Sequence, residues 1–243
     1  MSTEDGSEHI SLNKYIAEKG LCSRREADKW IEEGRIKING VTAKKGNRVS
    51  LTDEVTIDDA PLEMDKPPVV YIALHKPVGI VCTTDQREKD NIIDYVHYHE
   101  RIFPVGRLDK DSEGLILLTN DGDIVNKILR ASNAHEKEYV VTVNKPINSA
   151  FIKTMAAGIP ILDTVTRPCK VVKKGDQTFE ITLTQGLNRQ IRRMCEFLGY
   201  RVTKLVRVRV MHILLKDIPY GQWRYLSEKE TSRLLEYVKS SRK

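Results

Sequence analysis

Two consecutive prolines, Pro67 and Pro68, follow Asp65 and Lys66 and split the 243 residues into a short run and a long one. Proline lacks a backbone N–H and fixes φ, so neither a helix nor an inner strand continues through such a pair, and a linker is expected there. Ahead of it, residues 1–9 are polar and without apolar periodicity, which predicts a disordered tail. A compact unit is predicted over 10–66. Leu12, Tyr15 and Ile16 have helical spacing up to Gly20. Ser23-Arg-Arg-Glu26 has the form of a capping box, opening a second helix with Ala27, Trp30 and Ile31 inward and Gly34 as its stop. Ile36 and Ile38 then alternate with Arg35 and Lys37 ahead of Asn39-Gly40, a strong hairpin signal, and Val49, Leu51, Val55 and Ile57 supply further strand residues.

The long run, predicted to fold over 69–238 with a tail at 239–243, mixes strands with separated helices, an α+β pattern. Val69 to Leu74, Gly114 to Thr119 and Tyr139 to Val143 are apolar and short, as buried strands are, and Ile124 to Leu129 has the length and spacing of a short helix. Phe179, Ile181 and Leu183 alternate with Glu180, Thr182 and Thr184, the pattern of a strand buried on one face.

With 40% hydrophobic and 30% charged residues the chain has the composition of a globular protein, which excludes fibrous and collagenous classes. No stretch approaches the roughly 18 apolar residues of a membrane span, and the start is polar and acidic, so a cytoplasmic protein without a membrane partner is expected. Cys22, Cys82, Cys169 and Cys195 lie far apart with no C-x-x-C pair, and His97-Tyr-His99 has no acid or cysteine cluster to complete it. Neither a metal site nor a disulfide framework is predicted.

The net charge of +6 is unevenly spread. Between Gln185 and Lys216 eight bases face one acid, and from Lys14 to Arg48 ten bases face five. Such surfaces favour a polyanionic partner. A helix is predicted over 188–198, capped by Asn188, with Ile191, Met194, Cys195 and Leu198 on one face and Arg189, Arg192, Arg193 and Glu196 on the other. Three arginines near a helix start oppose the macrodipole, so stability alone does not explain them. Arg207 and Arg209 alternate with valines in the next strand and predict a second basic surface beside the first. Upstream, the polar loop from Gly106 to Gly114 offers Asp109, Asp111 and Glu113. Spacing does not single out one of the three, and turn-forming acids are the ordinary content of such loops.

Four segments resemble the pseudouridine synthase family. Gly106-Arg107-Leu108-Asp109 is similar to its catalytic signature and Lys137-Glu138-Tyr139 to the motif of its active-site tyrosine. Arg189-Gln190-Ile191-Arg192-Arg193-Met194 is similar to its third signature, and His75-Lys-Pro-Val-Gly79 to the opening of its catalytic domain. Leu12-Asn-Lys-Tyr-Ile16 and Cys22-Ser-Arg-Arg-Glu-Ala27 are similar to the S4-like domain that precedes the synthase domain in members of the RsuA type. The segments His135 to Val140, Asn144 to Ile147 and Gly186 to Glu196 carry a likeness to those members of that type that act on the large ribosomal RNA. The resemblance runs from about Ile10 to Leu226. Two departures bear on the choice of RNA and not on catalysis. His212 stands where asparagine is expected after Met211, and the sequence closes at Ser-Arg-Lys243 without the basic extension of some members.

The resemblance implies a small S4-like α/β RNA-binding domain followed by a domain with a central mixed, mainly antiparallel sheet and flanking helices. It further implies isomerisation of a uridine, expected in 23S ribosomal RNA, with neither cofactor nor metal, because the reaction is redox-neutral and transfers no group; a monomer is the default expectation, since nothing in the sequence reads on oligomeric state. Transfer RNA is a second expected partner. Asp109 would be the catalytic carboxylate, Arg192 the guanidinium fork aiming it, and Tyr139 the stacking ring and candidate base for the C5 proton. Arg107 would fill or frame the space left by the extruded base, with Ile181 and Leu183 under the tyrosine. Lys137, Arg189, Lys204 and Arg207 would contact RNA or support the site, and Lys14, Arg24 and Arg25 would do so from the S4-like unit. The rival classes are a non-catalytic S4-domain RNA-binding or ribosome-assembly protein and a hydrolase pairing Asp109 with Asp111.

Overall fold

In a computed structural model of the chain, residues 9–50, 52–62, 67–239 and 241 are described. The expected tail up to residue 8, Leu51, Asp65 and Lys66 lie outside them. The chain divides into two units, 1–69 and 70–243.

In the first unit the helices Leu12–Glu18 and Arg24–Glu32 pack over short strands. The Ser23 hydroxyl accepts from the Glu26 amide at 3.0 Å, so the predicted cap is made. Gly34, at φ 75°, donates to the Ile31 carbonyl and turns the chain out of the helix, a conformation glycine adopts without a Cβ clash. Asn39 and Gly40 both have positive φ, 49° and 78°, and join Ile36–Ile38 to Val41–Thr42 in the tight hairpin that this dipeptide favours. A four-stranded sheet results, and Leu12, Ile16, Ala27, Ile31, Ile36, Val49 and Val55 close the core. Trp30 is only half-buried, with the Arg35 guanidinium 5.0 Å from its ring centre.

The second unit is built on a nine-stranded sheet among the described residues. Its main path runs Lys170–Lys173, Thr178–Leu183, Lys137–Val143, Val202–Val210, Glu113–Thr119, Tyr71–Lys76 and Trp223–Tyr225, with Phe103–Val105 alongside the 113–119 strand and Ile213–Leu214 alongside the 202–210 strand. Among these nine strands, only 113–119 and 202–210 pair in parallel. The 113–119 strand is buried on both faces, Leu115 and Leu117 entering one apolar cluster and Ile116 and Leu118 another. That accounts for its unbroken apolar run. The 178–183 strand is buried on one face only, through Phe179, Ile181 and Leu183, as the alternation requires.

The helix Gln190–Phe197 covers the sheet through Ile191, Met194 and Cys195. It starts two residues later than predicted. Arg189, in the left-handed region at φ 49°, stands at the cap position, while Asn188 accepts from the Arg193 guanidinium through both its backbone and its side-chain oxygens. The last helix, Glu228–Lys239, extends one residue beyond the expected 238. His212, which replaces the expected asparagine, pins it by a 2.9 Å contact between Nε2 and the Glu230 carbonyl. Among the described residues no helix is long and apolar enough to cross a membrane.

Candidate active site

The connection from Val105 to Glu113 is a polar loop whose backbone is tied down at nearly every residue. Arg207 Nη1 points at the Arg107 carbonyl at 3.4 Å, the Leu108 amide donates to Cys82 Sγ at 3.3 Å, and the Ser112 amide closes onto the Asp109 carbonyl at 3.1 Å. The Gly79 amide donates to the Lys110 carbonyl, and Lys76 Nζ to the Ser112 carbonyl, each at 2.8 Å. Lys76 is fully buried, and desolvation holds its pKa below the ordinary lysine value. A loop held this way projects the Asp109 side chain from a fixed backbone, with little left to order when a ligand arrives.

Asp109 faces a cavity of about 480 Å³ between this loop and the start of the 190–197 helix. Tyr139 and Arg192 line the same cavity, together with Arg107, Lys137, Leu183, Arg189 and Arg207. Residues separated by up to a hundred positions thus share one hollow, because the 137–143, 178–183 and 202–210 strands are neighbours in the sheet.

Residues 70–197 match the family described as RNA pseudouridylate synthase, more than half of the chain, and residues 11–55 match the S4 domain. The chain belongs to the pseudouridine synthase family. It is 57% identical over 231 residues to the dual-specificity RNA pseudouridine synthase RluF of Salmonella typhi, spanning 95% of this chain and 80% of that one. Identity is 34% to the ribosomal large subunit pseudouridine synthase B of Bacillus subtilis, over 92% of this chain and 94% of that one. Among solved structures, the crystal structure of a pseudouridylate synthase superposes with a TM-score of 0.67 at 30% identity, covering 93% of this chain and 99% of that one. An S4 domain followed by the synthase fold is therefore the architecture of this enzyme.

The electrostatics of the synthase pocket differ from expectation in three places. First, Arg192 does not fork onto Asp109. Its Nη2 donates to the Asp111 carbonyl at 2.8 Å and to Ser112 Oγ at 3.1 Å, so it ties the loop rather than the carboxylate. The guanidinium beside Asp109 is that of Arg189, with Nη1 3.6 Å from Oδ2. The left-handed backbone at Arg189 turns that side chain out of the helix toward the loop, which helical periodicity does not anticipate. Second, Arg189 makes its two-bond fork with Asp111, at 3.2 and 3.1 Å. Burial pushes the Asp111 carboxyl up, but the Arg189 hydrogen bonds and the charges of Arg192 and Arg189 outweigh this and leave it below the usual carboxylate range. A carboxyl held ionised in this way is unsuited to be the proton donor of a two-carboxylate hydrolase.

Third, Arg207 does not belong to an outer basic surface. It is 3% exposed and runs inward, Nε donating to the Leu115 carbonyl at 2.6 Å, while Arg209 is consumed by Glu136 and Glu138 at 3.0 and 2.8 Å. Alternation in the sequence assigns the two to one face without saying which face the loop covers. Arg107 is exposed at the cavity's edge. Ile181 lies opposite Tyr139 in the strand register and is fully buried beneath the pocket, whereas Lys204 is turned away and pairs with Glu113 at 3.1 Å. In the S4 unit Arg24 and Arg25 are exposed on the first turn of their helix, and Lys14 pairs with Glu18 at 3.4 Å. Sequence reasoning missed Lys76, Cys82 and Ser112, the loop's anchors. A lysine ending an otherwise apolar strand was the one available signal.

Proposed function

We propose that Asp109 is the nucleophile with which this synthase isomerises a uridine of structured 23S ribosomal RNA. The observation that carries this reading is the meeting of the Asp109 carboxylate, the Arg189 guanidinium and the Tyr139 ring at one cavity of base-accepting size. Asp109 attacks the ribose at C1′ or the base at C6, or promotes elimination to a glycal; in each case the N1 to C1′ bond breaks, the base turns, and C5 joins C1′. Arg189, 3.6 Å from the carboxylate, limits its rotation. Tyr139 stacks on the uracil, and its hydroxyl takes the C5 proton. The uridine is extruded from the RNA at a cost of a few kcal/mol, offset by stacking and phosphate contacts, and Arg107 frames the space it vacates.

The S4 unit, which we assign to 10–66, holds the RNA through Arg24 and Arg25, and the unit at 69–238 carries out the chemistry. The large-subunit target rests on likeness to relatives named for that substrate, and the dual-specificity name of another extends the proposal to a second RNA, for which a transfer RNA is suited. The setting is the cytoplasm and the acting form a monomer. The test is to map pseudouridines in total RNA from cells with and without the gene, complemented with wild type or Asp109→Ala. A 23S site that disappears on deletion and returns only with wild type supports the proposal. A complete 23S map in the deletion strain contradicts it.

A further inference from the structure

The floor of the pocket holds more positive charge than the loop uses. Arg207 spends Nε on the Leu115 carbonyl and Nη1 on the Arg107 carbonyl, but Nη2 is buried with no partner. Lys137, 8% exposed, has only a 3.4 Å approach of Nζ to the His135 carbonyl. Both line the cavity. Buried donors are nearly always satisfied, and a buried cation without a counter-charge opposes folding, so two of them side by side call for an acceptor that is brought in from outside. The position of the pair is informative. Arg207 is the cross-strand partner of Tyr139, and Lys137 precedes Tyr139 by two residues on the same strand face. They therefore flank the ring on which the base stacks. Arg107 and Arg189, which line the same cavity, are by contrast exposed.

We propose that Arg207 Nη2 and Lys137 Nζ form a recess for the carbonyl oxygens of uracil and stabilise the negative charge that the base acquires during the reaction. The inference rests on the isomerase reading above and holds for each route. If Asp109 attacks C1′, or a glycal forms, the N1–C1′ electron pair leaves with the base, giving a uracil anion with its charge over N1 and both carbonyl oxygens. If Asp109 attacks C6, the electrons of the C5–C6 double bond move onto the C4 carbonyl oxygen. Joining C5 to C1′ returns the pair and releases the carboxylate from its adduct, or, in the glycal route, is accompanied by return to C2′ of the proton that Asp109 removed; the C5 proton goes to the base catalyst and N1 takes up one proton, so the recess gains and loses no atoms. Donors fixed in advance where charge develops act more strongly in a buried site than in water. Desolvation, together with the charge of Arg207, lowers the Lys137 pKa to about 8, so its ammonium is the form present at neutral pH and is lost in mildly alkaline solution.

The full-length protein, total RNA from a strain lacking the gene, and single-turnover formation of pseudouridine between pH 7 and 9 provide the test. Lys137→Met is expected to lose roughly 10²- to 10³-fold in rate, the effect of removing one such donor. RNA affinity should be unchanged, and melting should occur at or above the wild-type temperature, because a desolvated charge has been removed. Arg207→Lys should lose rate similarly. The wild-type rate should fall as pH rises through about 8, and in Lys137→Arg that fall should move to higher pH. A wild-type rate in Lys137→Met, a loss explained by weaker RNA binding, or a lowered melting temperature with an unmoved pH profile would each overturn the proposal. Asp109→Asn is measured alongside: if it is inactive while Lys137→Met is not, the recess alone fails, and if it is active, the nucleophile assignment fails first.

Discussion

Replacing Gly114 by alanine is expected to damage the pocket from a position that no substrate touches. Gly114 follows the Asp109 loop and is the point at which the 113–119 strand meets Arg207 of the 202–210 strand in parallel register. Its φ is 116°, outside the left-handed well that other residues tolerate, and an added Cβ would press on the Arg207 carbonyl oxygen and lie 2.5 Å from the Arg207 amide nitrogen. These contacts are backbone, so no side-chain rotation relieves them. Strained φ costs about 1–3 kcal/mol and forced overpacking a further 1–3, giving about 2–6 kcal/mol against a typical total stability of 5–15. For a unit of this size the melting temperature should fall by about 5–20 °C. The shift of Arg207 should also loosen the Arg107 carbonyl and reduce turnover. Urea unfolding followed by far-ultraviolet circular dichroism measures the first effect. Gly122→Ala is the control, since Gly122 opens the helix Gly122–Leu129 with its nearest neighbour at 3.8 Å and should gain about 0.4–1 kcal/mol. Stability of Gly114→Ala within about 0.5 kcal/mol of wild type would refute the reasoning.

Two further changes separate the roles of charged groups. Arg189→Gln removes the guanidinium beside Asp109 and should cut single-turnover rate by about 10- to 100-fold with little change in melting, whereas Arg192→Gln, which unties the buried loop contacts, should lower both stability, by about 1–3 kcal/mol, and rate; equal melting curves for the two would contradict the assignment. Glu230 is held down at a pKa of about 2, chiefly by hydrogen bonds from Arg224. Its contribution to stability is complete above the unfolded value of 4.5 and is lost as pH falls toward 2. Denaturation of Glu230→Gln between pH 5 and 2 should therefore be less steep, by about 1 kcal/mol after solvent screening, and parallel curves would contradict this.

Strand and turn chemistry carried most of the fold in the sequence itself. The Ser23 cap, the Asn39-Gly40 hairpin and the 178–183 alternation are local signals, and the chain follows them. The pocket was legible as a set of motifs but not as a geometry. Periodicity put Arg192 and Arg207 on polar faces, and both are buried because the Asp109 loop folds over those faces, a contact across about eighty to a hundred residues that no local pattern encodes. The exchange of Arg192 for Arg189 beside Asp109 has the same origin: a single left-handed residue ahead of the helix redirects a side chain that regular spacing would point elsewhere. Lys76 was hidden for a different reason, since a lysine at a strand end looks solvated until the Pro77 and Ser112 carbonyls are known to converge on it.

The most direct measurement is pseudouridine formed per enzyme in a single turnover by purified Asp109→Asn, with RNA affinity determined on the same preparation. The variant keeps the size of the side chain and removes its negative charge. A loss of activity to the detection limit with unaltered RNA affinity is the predicted result. Conversion at a rate comparable to wild type would mean that another group attacks the uridine.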